Sequence, residues 1–238
     1  MDTLQFILLD PSKPLIEEWR REIVQHVPDR FQSKFSIVQS KLADLTQPHN
    51  QFDCIVSPAN SYGRLDGGFD YYLAAALSPA DIDAATKLAQ ATLYQKWKGY
   101  APPGTCTLVP LKDSVCENNP HGCAYIALCP TMRIPEDATW NREIVYNCVW
   151  SLLVSLEQHN RAADISGDGT KISKVLMTGL ATGCGRVPPE LCAQQMALAF
   201  RDFINASENA EKWSTMDWVS ALDLAEDCRR TYRPNNEP

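Results

Sequence analysis

The sequence is short of the features that would commit it early to a membrane, a nucleic acid or a metal. No apolar run approaches the roughly 18 to 20 residues of a membrane span. Positive charge does not dominate either: 22 lysines and arginines stand against 29 acids, giving a net charge of -7 and a pI near 5.1. That balance removes the broad basic footprint on which nucleic-acid and anionic-membrane binding rely. Residues 1–10 show no basic segment leading into a long apolar stretch and a cleavage site. The nine cysteines are therefore read as reduced thiols of the cytoplasm, or of the nucleus, and not as disulfides. Cys116, Cys123 and Cys129 are too widely spaced for paired zinc knuckles, and no second Cys/His cluster follows, so no metal is expected. Cys54, Cys129 and Cys148 sit in apolar runs, where a thiol behaves as a small buried hydrophobe. Internal repeats and low-complexity segments are missing too.

What is present is an alternation of strand-like and helix-like segments in a chain of 238 residues that is 45% hydrophobic and 21% charged, enough for a sizeable core. Apolar or β-branched runs at residues 5–9, 35–38, 53–56, 105–110, 124–129 and 174–178 read as strands. Helical spacing appears over residues 14–27 (Leu15, Trp19, Ile23, Val27), 71–77, 81–97, 141–158 and 188–204. In the fourth of these Ile144, Val145, Cys148, Val149, Leu152, Leu153 and Leu156 form the buried side. Residues 160–173 read as a polar surface loop. Strands alternating with helices predict a three-layer α/β/α sandwich around a mixed sheet. Residues 1–205 form one domain on this reading, and residues 206–238 a C-terminal extension. Trp213, Met216, Trp218 and Leu222 would dock a short helix there, and residues 234–238 would fray.

Two loops stand out against this background. The first runs Val56-Ser57-Pro58-Ala59-Asn60 and, within ten residues, Leu65-Asp66-Gly67-Gly68-Phe69-Asp70; the second is Gly179-Leu180-Ala181-Thr182-Gly183-Cys184-Gly185-Arg186. Each follows a strand-like run and precedes a helix-like one. That places glycine-rich backbone at the carboxyl ends of strands, where open α/β sheets bind ligands and helix N-termini favour phosphate. A glycine there lets N–H groups approach an anion with no Cβ to hold it off. Neither loop is a Walker A motif or a three-glycine dinucleotide fingerprint, and no Cys-x5-Arg phosphatase loop occurs. The expected ligand is a phosphorylated small molecule, with no cofactor.

Taken in order, Ala43-Asp44-Leu45-Thr46, Asp53 to Asn60, Gly67-Gly68-Phe69-Asp70 and Ala181-Thr182-Gly183-Cys184-Gly185 resemble the macro domain, a family that binds ADP-ribose and its derivatives. The resemblance extends from about Phe35 to about Ile204. It implies that Asp44 accepts a hydrogen bond from the adenine amino group, with the Leu45 backbone nearby. Ala59 and Asn60 would lie at the distal ribose, beside Gly67, Gly68 and Phe69. Backbone N–H groups from Thr182 to Arg186, in the loop that Ala181 opens, would wrap the diphosphate and the distal ribose, and the Arg186 guanidinium could add a contact to phosphate. Asp70 matches the aspartate that activates water in the catalytic branch of the family, so Asn60 and Asp70 are the candidate catalytic residues. The implied activity is hydrolysis at the distal ribose, of a terminal phosphate or a mono-ADP-ribosyl ester.

The chain departs from the family pattern at three points. Leu65 and Asp66 stand where more glycine is common, and an extra carboxylate beside a diphosphate is unfavourable unless it turns away or takes part in the chemistry. The strand-like Tyr125-Ile126-Ala127-Leu128 lacks the histidine that many members carry, and Phe69 replaces a small aliphatic residue. Arg133, in the segment Cys129-Pro130-Thr131-Met132-Arg133, is a second candidate for a terminal phosphate. Two other readings stay open: a non-catalytic reader of ADP-ribose or a related nucleotide, and a hydrolase using Cys184 as nucleophile with one of His26, His49, His121 or His159 as base.

Overall fold

The computed structural model describes residues 3–167 and 170–233; the frayed end expected over residues 234–238 lies outside them. Its centre is a six-stranded sheet in the order β2-β1-β6-β3-β5-β4. The strands are β1 (Gln5–Asp10), β2 (Phe35–Gln39), β3 (Cys54–Ser57), β4 (Thr107–Pro110), β5 (Tyr125–Leu128) and β6 (Lys174–Met177). All neighbouring pairs are parallel except β4 with β5, so the sheet is mixed. Five parallel strands point their carboxyl ends to one edge, and both glycine loops emerge there.

Period-2 alternation sorts each central strand between two helical layers. Phe6 and Leu8 of β1, Val56 of β3 and Met177 of β6 face a core formed with helices α1 (Lys13–His26), α5 (Ile144–Ser166) and α6 (Pro189–Glu208). Trp19 is its largest fully buried side chain, and its indole N–H reaches Met196 Sδ at 3.2 Å. Ile7, Leu9, Ile55, Ile126 and Leu176 point the other way, onto α3 (Gly68–Leu77) and α4 (Asp83–Trp97), where Leu73, Leu77, Ala85, Ala89 and Leu93 are buried. The result is the three-layer α/β/α sandwich that the alternation of segments predicts. A single turn, α2 (Asp29–Gln32), links α1 to β2.

The buried side expected for α5 is fully buried. The helix runs further than its apolar pattern, through residues read as loop, to Ser166, and ends at Gly167 in the left-handed region (φ 66°). Polar contacts explain the extension: the Asn160 side chain donates to Ile172 O at 2.7 Å and accepts from Ile172 N at 2.8 Å, stitching the helix to the segment that enters β6.

Past α6 come α7 (Ala210–Ser214) and α8 (Trp218–Arg230). Trp213 stacks on Trp150 with ring centroids 5.4 Å apart, but Trp218 is 81% and Leu222 53% exposed, so they do not dock the helix as expected. Its contacts are polar instead. Asp227 pairs with Arg201 at 2.9 Å, and just beyond the helix Thr231 Oγ1 accepts from Gln195 Nε2 at 2.9 Å. All nine cysteines are free; Cys54, Cys129 and Cys148 are among the seven that are buried.

Candidate functional site

At the carboxyl edge of the sheet the two glycine loops close around a cavity of about 670 Å³. Its wall takes in the ends of β1, β3 and β6 and the segment after β5, as expected at the ligand-binding edge of an open α/β sheet. A larger depression of about 870 Å³ lies between the starts of α5 and α6 and the residues after α8. It has no glycine loop, and its aromatic hydroxyl and one guanidinium are already engaged. Tyr232 O–H donates to Glu143 at 3.2 Å, and the Arg142 guanidinium sits over the Tyr232 ring. The cavity at the sheet edge is therefore the candidate site.

The second loop is tightly wound. Ala181 (φ 59°) and Arg186 (φ 56°) both occupy the left-handed region, an uncommon conformation for residues with a Cβ. A Cβ on Gly185 would fall 2.5 Å from the Ala181 carbonyl oxygen, and one on Gly179 would fall 2.5 Å from Leu15 Cδ2, so both glycines answer to packing. The N–H groups of Thr182, Gly183, Cys184 and Gly185 have no acceptor among the described residues, whereas Arg186 N–H donates to Gly183 O at 3.0 Å. The cradle is thus four donors long, and the Arg186 amide is not part of it. Nor does the Arg186 side chain reach the wall: it is exposed, 3.8 Å from Asp137.

Opposite, Gly67 and Gly68 start α3, and Gly68 takes φ 56°. A helix leaves its first N–H groups without intrahelical acceptors, so Gly68, Phe69 and Asp70 supply a second set of donors on the same cavity. Asp70 is 6% exposed, and its Oδ1 accepts from Ser57 Oγ at 2.7 Å. Burial pushes its carboxyl up from 3.8 to about 7; the Ser57 hydroxyl pulls it back in part, and the charge of Asp66 adds to the rise.

Asp66 does not stand bare against the cavity. Arg64 Nε donates to its Oδ2 at 2.7 Å and a second guanidinium nitrogen contacts the same oxygen, so the extra carboxylate is paired at the mouth. Asn60 shapes that arrangement. Its Oδ1 accepts from Tyr62 N at 3.1 Å and Arg64 N at 3.3 Å, while Nδ2 donates to Arg64 O at 2.7 Å. The Asn60 amide, expected to orient ribose and water, is instead spent largely on the turn that presents Arg64.

A family model described as the macro-like domain matches residues 34–209. The chain belongs to this family. Among solved structures it is similar to the Oceanobacillus iheyensis macrodomain with ADP, at 15% identity and a TM-score of 0.44, covering 65% of this chain and 73% of that one. A Trypanosoma brucei macrodomain gives 17% identity and 0.44, over 70% of this chain but 53% of its own. The Oceanobacillus iheyensis macrodomain with MES bound gives 14% and 0.44, over 65% and 74%.

In this macro-like domain the cavity wall gathers Ala59, Asn60, Gly67, Gly68, Phe69, Asp70, Ala181, Thr182, Gly183, Cys184 and Gly185 of the expected residues. Asp44 and Leu45 are not on it. Asp44, itself exposed, ends a 3-10 turn, Leu42–Asp44, whose Leu42 and Ala43 line the cavity in its place. Leu45 is buried in the core, and its N–H is engaged with Leu42 O at 3.3 Å. Arg133 also lies off the wall, its guanidinium over the Tyr100 ring and its Nε 3.2 Å from Tyr62 Oη. None of the four histidines lines the cavity, so Cys184, whose Sγ lies 3.6 Å from Met132 Sδ, has no imidazole base there.

Of the segment Cys129 to Arg133, Thr131 and Met132 line the wall, and the polar wall residues that the sequence does not single out include Asp10, Ser12, Ser40, Lys41, Arg64 and Thr178. Asp10 accepts from Ser12 N at 2.8 Å and Thr178 Oγ1 at 2.9 Å, tying the end of β1 to the end of β6. Its one sequence signal is an acid closing an apolar strand just before Pro11.

Proposed function

We propose that this macro-like domain binds an ADP-ribose-type ligand and hydrolyses a bond at its distal ribose. The observation that carries the reading is the pairing of two sets of backbone donors across one cavity with a buried carboxyl whose proton affinity is shifted to about 7. A diphosphate carries no side-chain-sized features to read, and main-chain N–H groups from the second loop and from the first turn of α3 suit it. Adenine lies on this reading against the turn at Leu42 and Ala43, displacing the contact from Asp44 to its neighbours on the wall.

Asp70 is the general base. A base works best when its pKa lies near the working pH, and a carboxyl at about 7 is tuned as well as an imidazole would be. Ser57 fixes its orientation without reaching the cavity, and Asn60 is a positioning residue acting through the Arg64 turn. Phe69 lines the wall beside the distal ribose.

The test pairs calorimetric titration of ADP-ribose with turnover of ADP-ribose 1''-phosphate and of a mono-ADP-ribosylated peptide. Asp70→Asn is expected to keep binding within a few-fold and to lose roughly 10²- to 10⁴-fold in turnover. Undiminished turnover removes Asp70 from the mechanism. A parent protein that binds ADP-ribose and turns over neither substrate is a reader, the outcome that the absence of histidine from β5 favours.

A further inference from the structure

Thr131 follows β5 by three residues and is held from both sides. Its N–H donates to Ala59 O at 2.9 Å, and the adjacent Asn60 and Met132 form a parallel bridge, so the segment is stitched to the first loop. Its side chain is 1% exposed and belongs to the cavity wall, yet Oγ1 has no hydrogen-bond partner. The buried hydroxyls around it are all satisfied. Ser57 donates to Asp70, Thr178 to Asp10 and Ser61 to Met132 O, while Thr86 accepts from Leu65 N. A hydroxyl taken out of water and left unpaired is costly, and valine would fill almost the same volume without that cost.

We propose that Thr131 is a ligand-contacting residue whose hydroxyl completes its hydrogen bonding on a sugar hydroxyl of the bound molecule. This rests on the ADP-ribose reading of the cavity. The sugar is favoured over a phosphate by charge. Asp66 and Asp70 share this wall, and Arg64 is already paired to Asp66. The wall's other cation, Lys41, follows β2, which lies four strands from the β5 end where Thr131 stands, so an additional phosphate dianion beside Thr131 would face carboxylates without a cation of its own. A sugar hydroxyl is neutral and both donates and accepts, which matches a threonine hydroxyl atom for atom.

The test uses ADP-ribose and ADP, which differ by the distal ribose, with the parent, Thr131→Val and Thr131→Ser. Thr131→Val is expected to bind ADP-ribose about tenfold more weakly, close to 1.4 kcal/mol, and ADP as the parent does. Thr131→Ser is expected to track the parent with both. Without ligand, Thr131→Val is expected to melt no lower than the parent, because it loses a hydroxyl that has no protein partner. Unchanged ADP-ribose affinity in Thr131→Val, or equal losses for ADP and ADP-ribose, overturns the assignment to a sugar contact. A lowered melting point restored by Thr131→Ser overturns it as well, since the hydroxyl would then be structural. A parent that binds ADP as tightly as ADP-ribose, or binds neither, overturns the ADP-ribose reading itself and Thr131 with it.

Discussion

The proton affinity of Asp70 has a consequence for folding that can be read without any ligand. In the unfolded chain its carboxyl titrates near 3.8, and in the folded chain near 7. Between those values the folded protein holds a proton that the unfolded chain has released. Stability therefore falls as pH rises through this window, by about 1.4 kcal/mol per pH unit, because the unfolded state binds fewer protons. Summed over the window, Asp70 costs the folded state about 4 kcal/mol at pH 8 relative to pH 4. That is a large share of a typical net stability of about 5 to 15 kcal/mol.

Asp70→Asn isolates this contribution. The amide keeps an oxygen to accept the Ser57 hydroxyl, 2.7 Å from Oδ1 in the parent, and it does not titrate. Urea unfolding of parent and variant, followed by circular dichroism at half-unit steps from pH 4 to 8, gives two stability curves. The other ionisable groups contribute alike to both, so their difference reports residue 70. That difference is expected to be near zero at pH 4, to climb through the window, and to level off above pH 7 with the variant more stable by about 4 kcal/mol. A difference that stays flat across the range refutes the reasoning, and so does a variant less stable than the parent at pH 8.

Three further substitutions probe the loops. Asp66→Asn releases Arg64 from its ion pair and removes a carboxylate from the cavity mouth. ADP-ribose affinity by calorimetry is expected to rise about three- to tenfold at low salt, and the gain to shrink at 1 M salt, as for any exposed pair; an affinity that stays the same at low salt refutes it. In the second loop, Gly185→Ala drives a Cβ to within 2.5 Å of a backbone oxygen and is expected to destabilise by about 1 to 3 kcal/mol. Gly183→Ala meets nothing within 4 Å and is expected to melt like the parent, which makes it the control in the same thermal scan.

Much of the fold was legible because parallel strands buried on both faces read as short apolar runs, and four of the six belong to that class. The buried stripe of α5 was legible for the same reason, a period that matches its element. What escaped is what depends on partners far away in sequence. Residues 160–166 look like loop because their helical hydrogen bonds are supported by Ile172, and Trp218 looks like core although α8 docks through Asp227 and the residues beyond it. In the site, glycines announce themselves by type, but the role of a polar residue is settled by its neighbours. Asp66 stands in the sequence as a bare carboxylate beside the glycines, but Arg64 pairs with it; Asn60 lines the cavity as its type suggests, but that type does not announce the turn its amide closes. Asp44 missed the wall by one residue at the end of a 3-10 turn, a displacement that hydrophobic pattern does not encode.

The position of β1 shows why the matched segment alone does not describe the site. The family match begins at residue 34, after β1 and α1, yet β1 lies inside the sheet with β2 on one side and β6 on the other. Its backbone donors and acceptors are paired along both edges, and Phe6, Ile7, Leu8 and Leu9 are buried in both layers. β1 and α1 thus share the sheet and core of the matched segment, and Leu9, Asp10 and Leu15 line the cavity too. Asp10 closes β1 on the cavity wall and ties Ser12 to Thr178, which stands one residue before the second glycine loop. The position of that loop, and so of the donors at Thr182 to Gly185, is thereby set by an acid outside the matched residues. The geometry of this row of backbone donors therefore depends on a strand that precedes the matched residues.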